Sequence, residues 1–359
     1  MQRKIKVIVV DDSALVRSLL AEIINRQSDM QCVGAACDPL AAREMIRALS
    51  PDVITLDVEM PRMDGLDFLA RLMRLRPLPT IMISTLTERS ADVTLRALQL
   101  GAVDFVTKPR LGLAQGLQEM AAQIVEKIRV AASVRTLARA PLAPARGCAG
   151  AAVPGSLGAP PPLGRSCTRR LIGIGASTGG TEAITQVLSR LPADCPPIAI
   201  TQHMPAGFTA SFAARLNNLC ALTVQEARNG EPLRSGHAYI APGGKQFSVR
   251  RVQTHYSAVV QDAPPVNRHK PSVEVLFRSI AACAARHAYG IMLTGMGNDG
   301  AAAMRQMKDA GSYNLVQDEA SCIVFGMPRE AIACGAADAV VPLPQIAPAL
   351  LDRLRCDMQ

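Results

Sequence analysis

A chain of 359 residues is longer than one hydrophobic core usually serves, so two domains and a connector are expected. Apolar residues make up 49% of it, yet no run reaches the roughly 18 uninterrupted apolar residues of a membrane span, which excludes direct membrane insertion. The formal charge of +9 would suit a nucleic-acid binder, but it is local: between Glu126 and Glu182 there is no acidic residue and eight Lys or Arg, and the rest is nearly neutral.

At the N-terminus, Met1 to Lys4 leads into a short apolar run that ends at Asp11 and Asp12. It is too brief and too soon acidic for a secretory signal, so a cytoplasmic protein is expected. Apolar runs at Ile5 to Val10, Cys32 to Cys37, Val53 to Leu56, Ile81 to Ile83 and Val103 to Val106 predict five strands. Between them, stretches such as Ala14 to Asn25 and Leu66 to Leu75 carry Leu, Ile and Met at helical spacing. Strand and helix in alternation predict a doubly wound parallel sheet, whose ligands lie beyond the carboxyl ends of the strands.

The residues at those ends are Asp11 and Asp12 after the first strand, Asp57 at the third, Ser84 and Thr85 at the fourth and Lys108 after the fifth. Clustered carboxylates repel one another unless a cation intervenes, and hard oxygen donors suit Mg²⁺. Asp57 is then placed as a phosphoryl acceptor, with Lys108 able to neutralise phosphate charge. Helix capping would explain Asp12, but neither Asp57 followed by Met60 to Gly65 nor Lys108 followed by Pro109.

In this order the residues resemble two-component response-regulator receivers over roughly residues 4 to 125. The resemblance implies phosphorylation of Asp57 by a histidine kinase, with magnesium held by Asp12, Asp57 and the backbone carbonyl of Glu59, beside Asp11. It also implies a switch through Ser84 and Phe105, with Thr85 the alternative to Ser84.

Residues 133 to 168 are dominated by Ala, Pro, Gly and Arg and predict a flexible, basic linker with too little apolar surface to fold. Alternation resumes with strands at Leu171 to Gly175, Ile198 to Thr201, Ile291 to Leu293, Tyr313 to Val316 and Val340 to Val341. Gly236 to Gln261 reads as a small antiparallel β appendage. The ten cysteines contain no C-x-x-C pair, and neither a disulfide framework nor a structural zinc is predicted.

The first of these strands runs into Gly175-Ala176-Ser177-Thr178-Gly179, with a helix expected at Ala183 to Leu191. This satisfies G-x-S-x-G, although Gly-rich strand-to-helix turns also cradle the phosphates of dinucleotides. Thr178 stands where the third glycine of the dinucleotide fingerprint is required, and the next strand ends at His203 where an acidic residue would be expected. Both features favour hydrolysis over a dehydrogenase. Asp299 lies in the Gly-rich loop after a third strand, before a helix at Ala301 to Lys308. Individually, Ser177 reads as a helix cap, His203 as a core histidine and Asp299 as the cap of the following helix. Three such residues at strand ends together predict a Ser-His-Asp triad. His237, His255, His269 and His287 lack this placement.

The order Ser, His, Asp is not that of the α/β-hydrolases. The strings Ile174 to Gly180, Thr201 to Pro205, Gly236 to Gly243, Pro264 to His269, Leu293 to Gly300 and Phe325 to Pro328 instead resemble the catalytic domain of the bacterial chemotaxis protein-glutamate methylesterases, over about residues 171 to 350. This implies a receiver domain at 1–130, a linker at 131–168 and a methylesterase domain at 169–359. It also implies hydrolysis of glutamate γ-methyl esters and deamidation of glutamines on chemotaxis receptors, with no cofactor for the esterase step. Backbone N–H groups of Thr178 and Met296 are the candidate oxyanion hole. A response regulator whose output is binding is the rival reading, but no helix-turn-helix or RNA-binding motif supports it, and no nucleic-acid partner is expected.

Overall fold

The computed structural model describes residues 3–60, 65–85, 87–108, 114–134 and 169–357. The chain forms two compact units, Met1–Ala149 and Gly150–Gln359. Residues 61–64, within the stretch following Asp57, and Pro109 fall outside the described residues. The expected linker falls outside them from residue 135 onward.

In the first unit, β1 (Ile5–Val10), β2 (Met30–Ala36), β3 (Val53–Asp57), β4 (Thr80–Ser84) and β5 (Asp104–Thr107) alternate with five helices. These are α1 (Ala14–Asn25), α2 (Pro39–Leu49), α3 (Gly65–Leu75), α4 (Glu88–Gln99) and α5 (Ala114–Ser133). The parallel sheet has the order β2-β1-β3-β4-β5, the flavodoxin-like winding. Every residue of β3 and of β4 is buried, as parallel strands covered on both faces require. Local chemistry starts the helices: Pro39 opens α2, and the Asp38 carboxylate accepts from the Leu40 and Ala41 N–H groups. Helix α5 runs to Ser133, three residues into the stretch assigned to the linker.

The second unit contains β6 (Leu171–Ala176), α6 (Gly180–Leu188), β7 (Ile198–Gln202), α7 (Phe208–Leu219), β8 (Thr223–Glu226), β9 (His237–Ile240), β10 (Gln246–Val252) and β11 (His255–Gln261). It continues with α8 (Val273–Cys283), β12 (Ala288–Met292), α9 (Ala301–Asp309), β13 (Tyr313–Gln317), α10 (Met327–Ala333), β14 (Ala339–Val341) and α11 (Leu343–Cys356). Seven strands form one parallel sheet in the order β14-β13-β12-β6-β7-β9-β8. The chain builds outward from β6 through β7 to β9 and β8, then returns to lay β12, β13 and β14 on the other side. The order therefore reverses between β6 and β12, and their carboxyl ends open the crevice in which such sheets bind ligands.

The appendage expected over Gly236 to Gln261 divides. Only β10 and β11 pair antiparallel as a separate ribbon, which packs over α8. Strand β9 instead enters the main sheet, parallel to β7 with Ile198 opposite Ala238. Its last three residues are buried, so both faces need covering, and a central sheet position supplies that.

Candidate functional site

Tight turns at the carboxyl ends of β6, β7 and β12 bring the predicted catalytic residues to one place. Ala176 is in register with Gln202, and the His203 N–H donates to the Ala176 carbonyl at 3.1 Å, so Ser177 and His203 leave adjacent strands side by side. From the other flank the Ser177 N–H donates to the Thr294 carbonyl at 3.0 Å, just past β12. Close approach here requires glycine: a Cβ on Gly295 would lie 2.8 Å from the Ser177 Cβ and 2.4 Å from the Met327 Sδ.

The His203 Nε2 and Asp299 Oδ2 are 2.8 Å apart. Asp299 is buried and saturated. Its Oδ1 accepts from Asn267 Nδ2 at 2.9 Å and from Ser272 Oγ at 2.8 Å, while Oδ2 also accepts from the Val273 N–H at 2.7 Å. Burial by itself would raise the Asp299 pKa, but the hydrogen bonds from His203, Asn267 and Ser272 and the attraction of His203 outweigh it and hold the carboxyl down at about 2. A carboxylate on Nε2 fixes the neutral imidazole with its proton there and its lone pair on Nδ1. His203 Nδ1 is buried without a hydrogen-bond partner, and the Ser177 hydroxyl makes no hydrogen bond among the described residues. The Ser177 hydroxyl and His203 Nδ1 are thus both uncommitted, on neighbouring strand ends, and catalytic hydrogen bonds are commonly long or unformed before substrate binds.

The structural readings of the three residues fail one by one. Gly179, not Ser177, is the N-cap of α6, without a side-chain cap. His203 is not satisfied, since Nδ1 lacks a partner. Gly300 occupies the N-cap of α9, and Asp299 instead caps α8, a helix that precedes it in the chain.

Of the two oxyanion candidates, the Met296 N–H donates to no acceptor among the described residues. Thr178 is buried, and its carbonyl accepts from Thr294 Oγ1 at 3.0 Å.

Two side chains that spacing did not single out reach the same place. Gln202 Nε2 donates to the carbonyls of Ser177 at 2.8 Å and His203 at 3.3 Å, tying both turns together. His269, set aside because it follows no strand, lies with its ring stacked on His203, centroids 3.6 Å apart and planes within 10°. A hairpin-like turn carries it there, and no strand-end rule would find it.

In the first unit, one oxygen from each of Asp11, Asp12 and Asp57 lies within 4.8 Å of the others. Lys108 Nζ is 2.8 Å from Asp57 Oδ2 and 3.0 Å from Asp11 Oδ2, though the latter oxygen is buried without a well-directed hydrogen bond. Burial raises the Asp57 carboxyl to about 6, repulsion by Asp11 adds to the rise, and Lys108 opposes it. Three converging carboxylates, crowded enough that one resists ionisation, supply the hard oxygen donors that fit a divalent cation. Capping does not account for Asp12, because Ser13 is the N-cap of α1. The Glu59 N–H donates to Asp57 Oδ1 at 3.3 Å, which bends the chain so that the backbone passes beside the pocket. Ser84 Oγ accepts from Thr94 Oγ1 at 2.8 Å, whereas Thr85 Oγ1 is 2.7 Å from Ser90 Oγ. Phe105 is buried, with the Lys127 ammonium 5.3 Å from its ring centroid.

Comparison with known proteins bears on the two units as wholes. Residues 172–350 match the family model of CheB methylesterase and residues 7–119 that of the response regulator receiver domain. A protein-glutamate methylesterase/protein-glutamine glutaminase of Albidiferax ferrireducens is 68% identical over 355 residues, covering 98% of this chain and 94% of that one. One from Methylobacillus flagellatus is 59% identical, covering 94% of each. The crystal structure of the Thermotoga maritima CheB methylesterase catalytic domain superposes with a TM-score of 0.50 at 34% identity, covering 51% of this chain and 98% of that one.

Proposed function

Because the chain belongs to the CheB methylesterase family, with a receiver domain ahead of the catalytic one, we propose that it demethylates glutamate γ-methyl esters and deamidates glutamines on chemotaxis receptors, under control of phosphorylation. The single observation that carries the catalytic assignment is the 2.8 Å contact of His203 Nε2 with Asp299, which leaves the buried Nδ1 uncommitted, on a turn that leaves the sheet next to that of Ser177.

In this reading Nδ1 takes the Ser177 proton as Oγ attacks the ester carbonyl, and Asp299 stabilises the imidazolium that forms. The N–H groups of Thr178 and Met296 receive the negative charge on the tetrahedral oxygen. His203 returns its proton to the leaving group, which departs as methanol from an ester or as ammonia from a glutamine amide. Water, deprotonated in turn by His203, then attacks the acyl-enzyme; the receptor's glutamate side chain leaves as a carboxylate, and His203 hands the proton back to Ser177 Oγ. No cofactor enters these steps.

Asp12, Asp57 and the Glu59 carbonyl, with Asp11 beside them, would hold Mg²⁺, which supplies charge neutralisation for phosphoryl transfer to Asp57. Lys108 pairs with the phosphoryl group, and Ser84 and Phe105 answer its arrival. A chemotaxis histidine kinase is the phosphodonor and the methyl-accepting receptors are the substrate. The protein works in the cytoplasm without nucleic acid and without entering the membrane. No helix among the described residues is long and apolar enough to cross one.

Methanol release from methyl-esterified receptors tests the assignment. Wild-type protein is expected to release it and Ser177→Ala to lose at least about 10⁴-fold in kcat. Equal rates would remove Ser177 from the mechanism.

A further inference from the structure

Residues Val266 to His269 form a tight turn closed by two hydrogen bonds, Val266 N–H to the His269 carbonyl at 3.0 Å and His269 N–H to the Val266 carbonyl at 2.8 Å. Its central residues, Asn267 and Arg268, have φ of +51° and +69°. This is the mirror-image turn that normally calls for glycine, and Arg in the left-handed region is strained by its Cβ. The surroundings hold it there: Gln246, itself buried, donates through Nε2 to the carbonyls of Pro264 at 3.1 Å and His269 at 3.0 Å. Its Oε1 accepts from the Ser272 N–H at 2.9 Å.

The turn delivers one contact to each of the two residues that handle the proton. Asn267 Nδ2 donates to Asp299 Oδ1 at 2.9 Å, and the His269 ring lies flat on His203 at 3.6 Å. A ring at that distance matters because His203 is anchored through Nε2 alone, Nδ1 having no partner. Half a turn about its Cβ–Cγ bond would put Cε1 where Nε2 faces Asp299 and Cδ2 in the place of Nδ1, the nitrogen that the triad reading assigns to the Ser177 proton. Such a rotation must sweep the ring edge through the space His269 fills.

We propose that His269 is a positioning residue for the hydrolysis, a flat side chain that keeps the His203 imidazole in the one orientation serving both Asp299 and Ser177. The proposal rests on the triad reading above. Its action is on the base and not on the substrate, so it bears on kcat and leaves KM nearly unchanged.

The test is steady-state methanol release by full-length protein from membranes carrying methyl-esterified receptors, for wild type, Ser177→Ala, His269→Ala, His269→Leu and His269→Phe. His269→Ala and His269→Leu are expected to lose about 10- to 100-fold in kcat, the scale of a misplaced catalytic group, with KM within about twofold. His269→Phe, flat but without ring nitrogens, is expected to recover most of the rate. In proton NMR the low-field signal of the His203 Nε2–H shared with Asp299 is expected to persist in His269→Phe and to broaden or vanish in His269→Leu. Should His269→Ala fail to fold, the two space-filling variants still decide. Equal kcat for Phe and Leu, or a loss confined to KM, overturns the proposal. An active Ser177→Ala overturns the triad itself, whereas an inactive Ser177→Ala beside a fully active His269→Leu overturns only the role of His269.

Discussion

Asp299 shows how one carboxylate is prepared for a single protonation state. Its two oxygens receive hydrogen bonds from an imidazole, an amide, a hydroxyl and the backbone of α8, and these outweigh the cost of burying the charge. The Asp299→Asn variant keeps the shape but places an NH₂ group against donors. If the amide nitrogen faces His203, it pushes the imidazole proton from Nε2 to Nδ1, where it can no longer accept from Ser177. A kcat loss of about 10³- to 10⁴-fold near neutral pH is expected in the methanol assay, with the fold retained by circular dichroism.

At the scale of the elements, the same carboxylate caps α8. Val273 and Glu274 offer their N–H groups to Asp299, while Ser272, the N-cap residue, turns its own hydroxyl to Asp299 instead of to the helix. Because the folded pKa of about 2 lies below the ordinary carboxylate value of 3.8, the charged form favours the folded state. That contribution, about 2 kcal/mol, is complete above pH ~5 and is lost as the pH falls through 4 toward 2. Chemical denaturation of wild type between pH 6 and 3 is expected to show this decline, and Asp299→Ala to start lower and lack that share of the pH dependence.

Helix α6 carries a second element-scale constraint. A Cβ on Gly180 would lie 2.1 Å from Gln202 Oε1 and 2.6 Å from the Ala176 Cβ, in the contact that ties the nucleophile turn to the histidine turn. Alanine improves helix propensity by up to about 1 kcal/mol, but overpacking costs about 1 to 3 kcal/mol and dominates. Gly180→Ala is expected to lower the melting temperature by several degrees and to reduce kcat as Gln202 is displaced.

For the whole molecule, the proposed function divides labour between the two units, a carboxylate that receives a phosphoryl group in one and a triad that cleaves an ester in the other. Adding a small-molecule phosphodonor with Mg²⁺ is expected to raise methanol release by full-length wild type. In Asp57→Asn the ratio of stimulated to unstimulated rate is expected to fall to 1, and chelation of Mg²⁺ is expected to do the same to wild type. Stimulation that survives the loss of Asp57 would place the phosphoryl acceptor elsewhere.

What the sequence determined by itself was everything that depends on neighbours along the chain. Most strands could be read because parallel strands buried on both faces are short apolar runs, whereas the half-exposed edge strand β8 was missed; Asp57, Ser177 and His203 could be read because they end or directly follow such runs, and Asp299 because it lies in the Gly-rich loop beyond one. Contacts between distant segments were decided only by the tertiary structure. Strand β9 looked like part of an antiparallel ribbon until the parallel register with β7 drew it into the sheet. Asp299 read as the cap of the helix after it, yet folding brings it to the start of α8, 26 residues earlier. Gln202 and His269 lie in strings that carry the family resemblance, yet spacing assigned them no role, because a side chain that braces another is defined by where it points, and periodicity records only how a segment faces its own core.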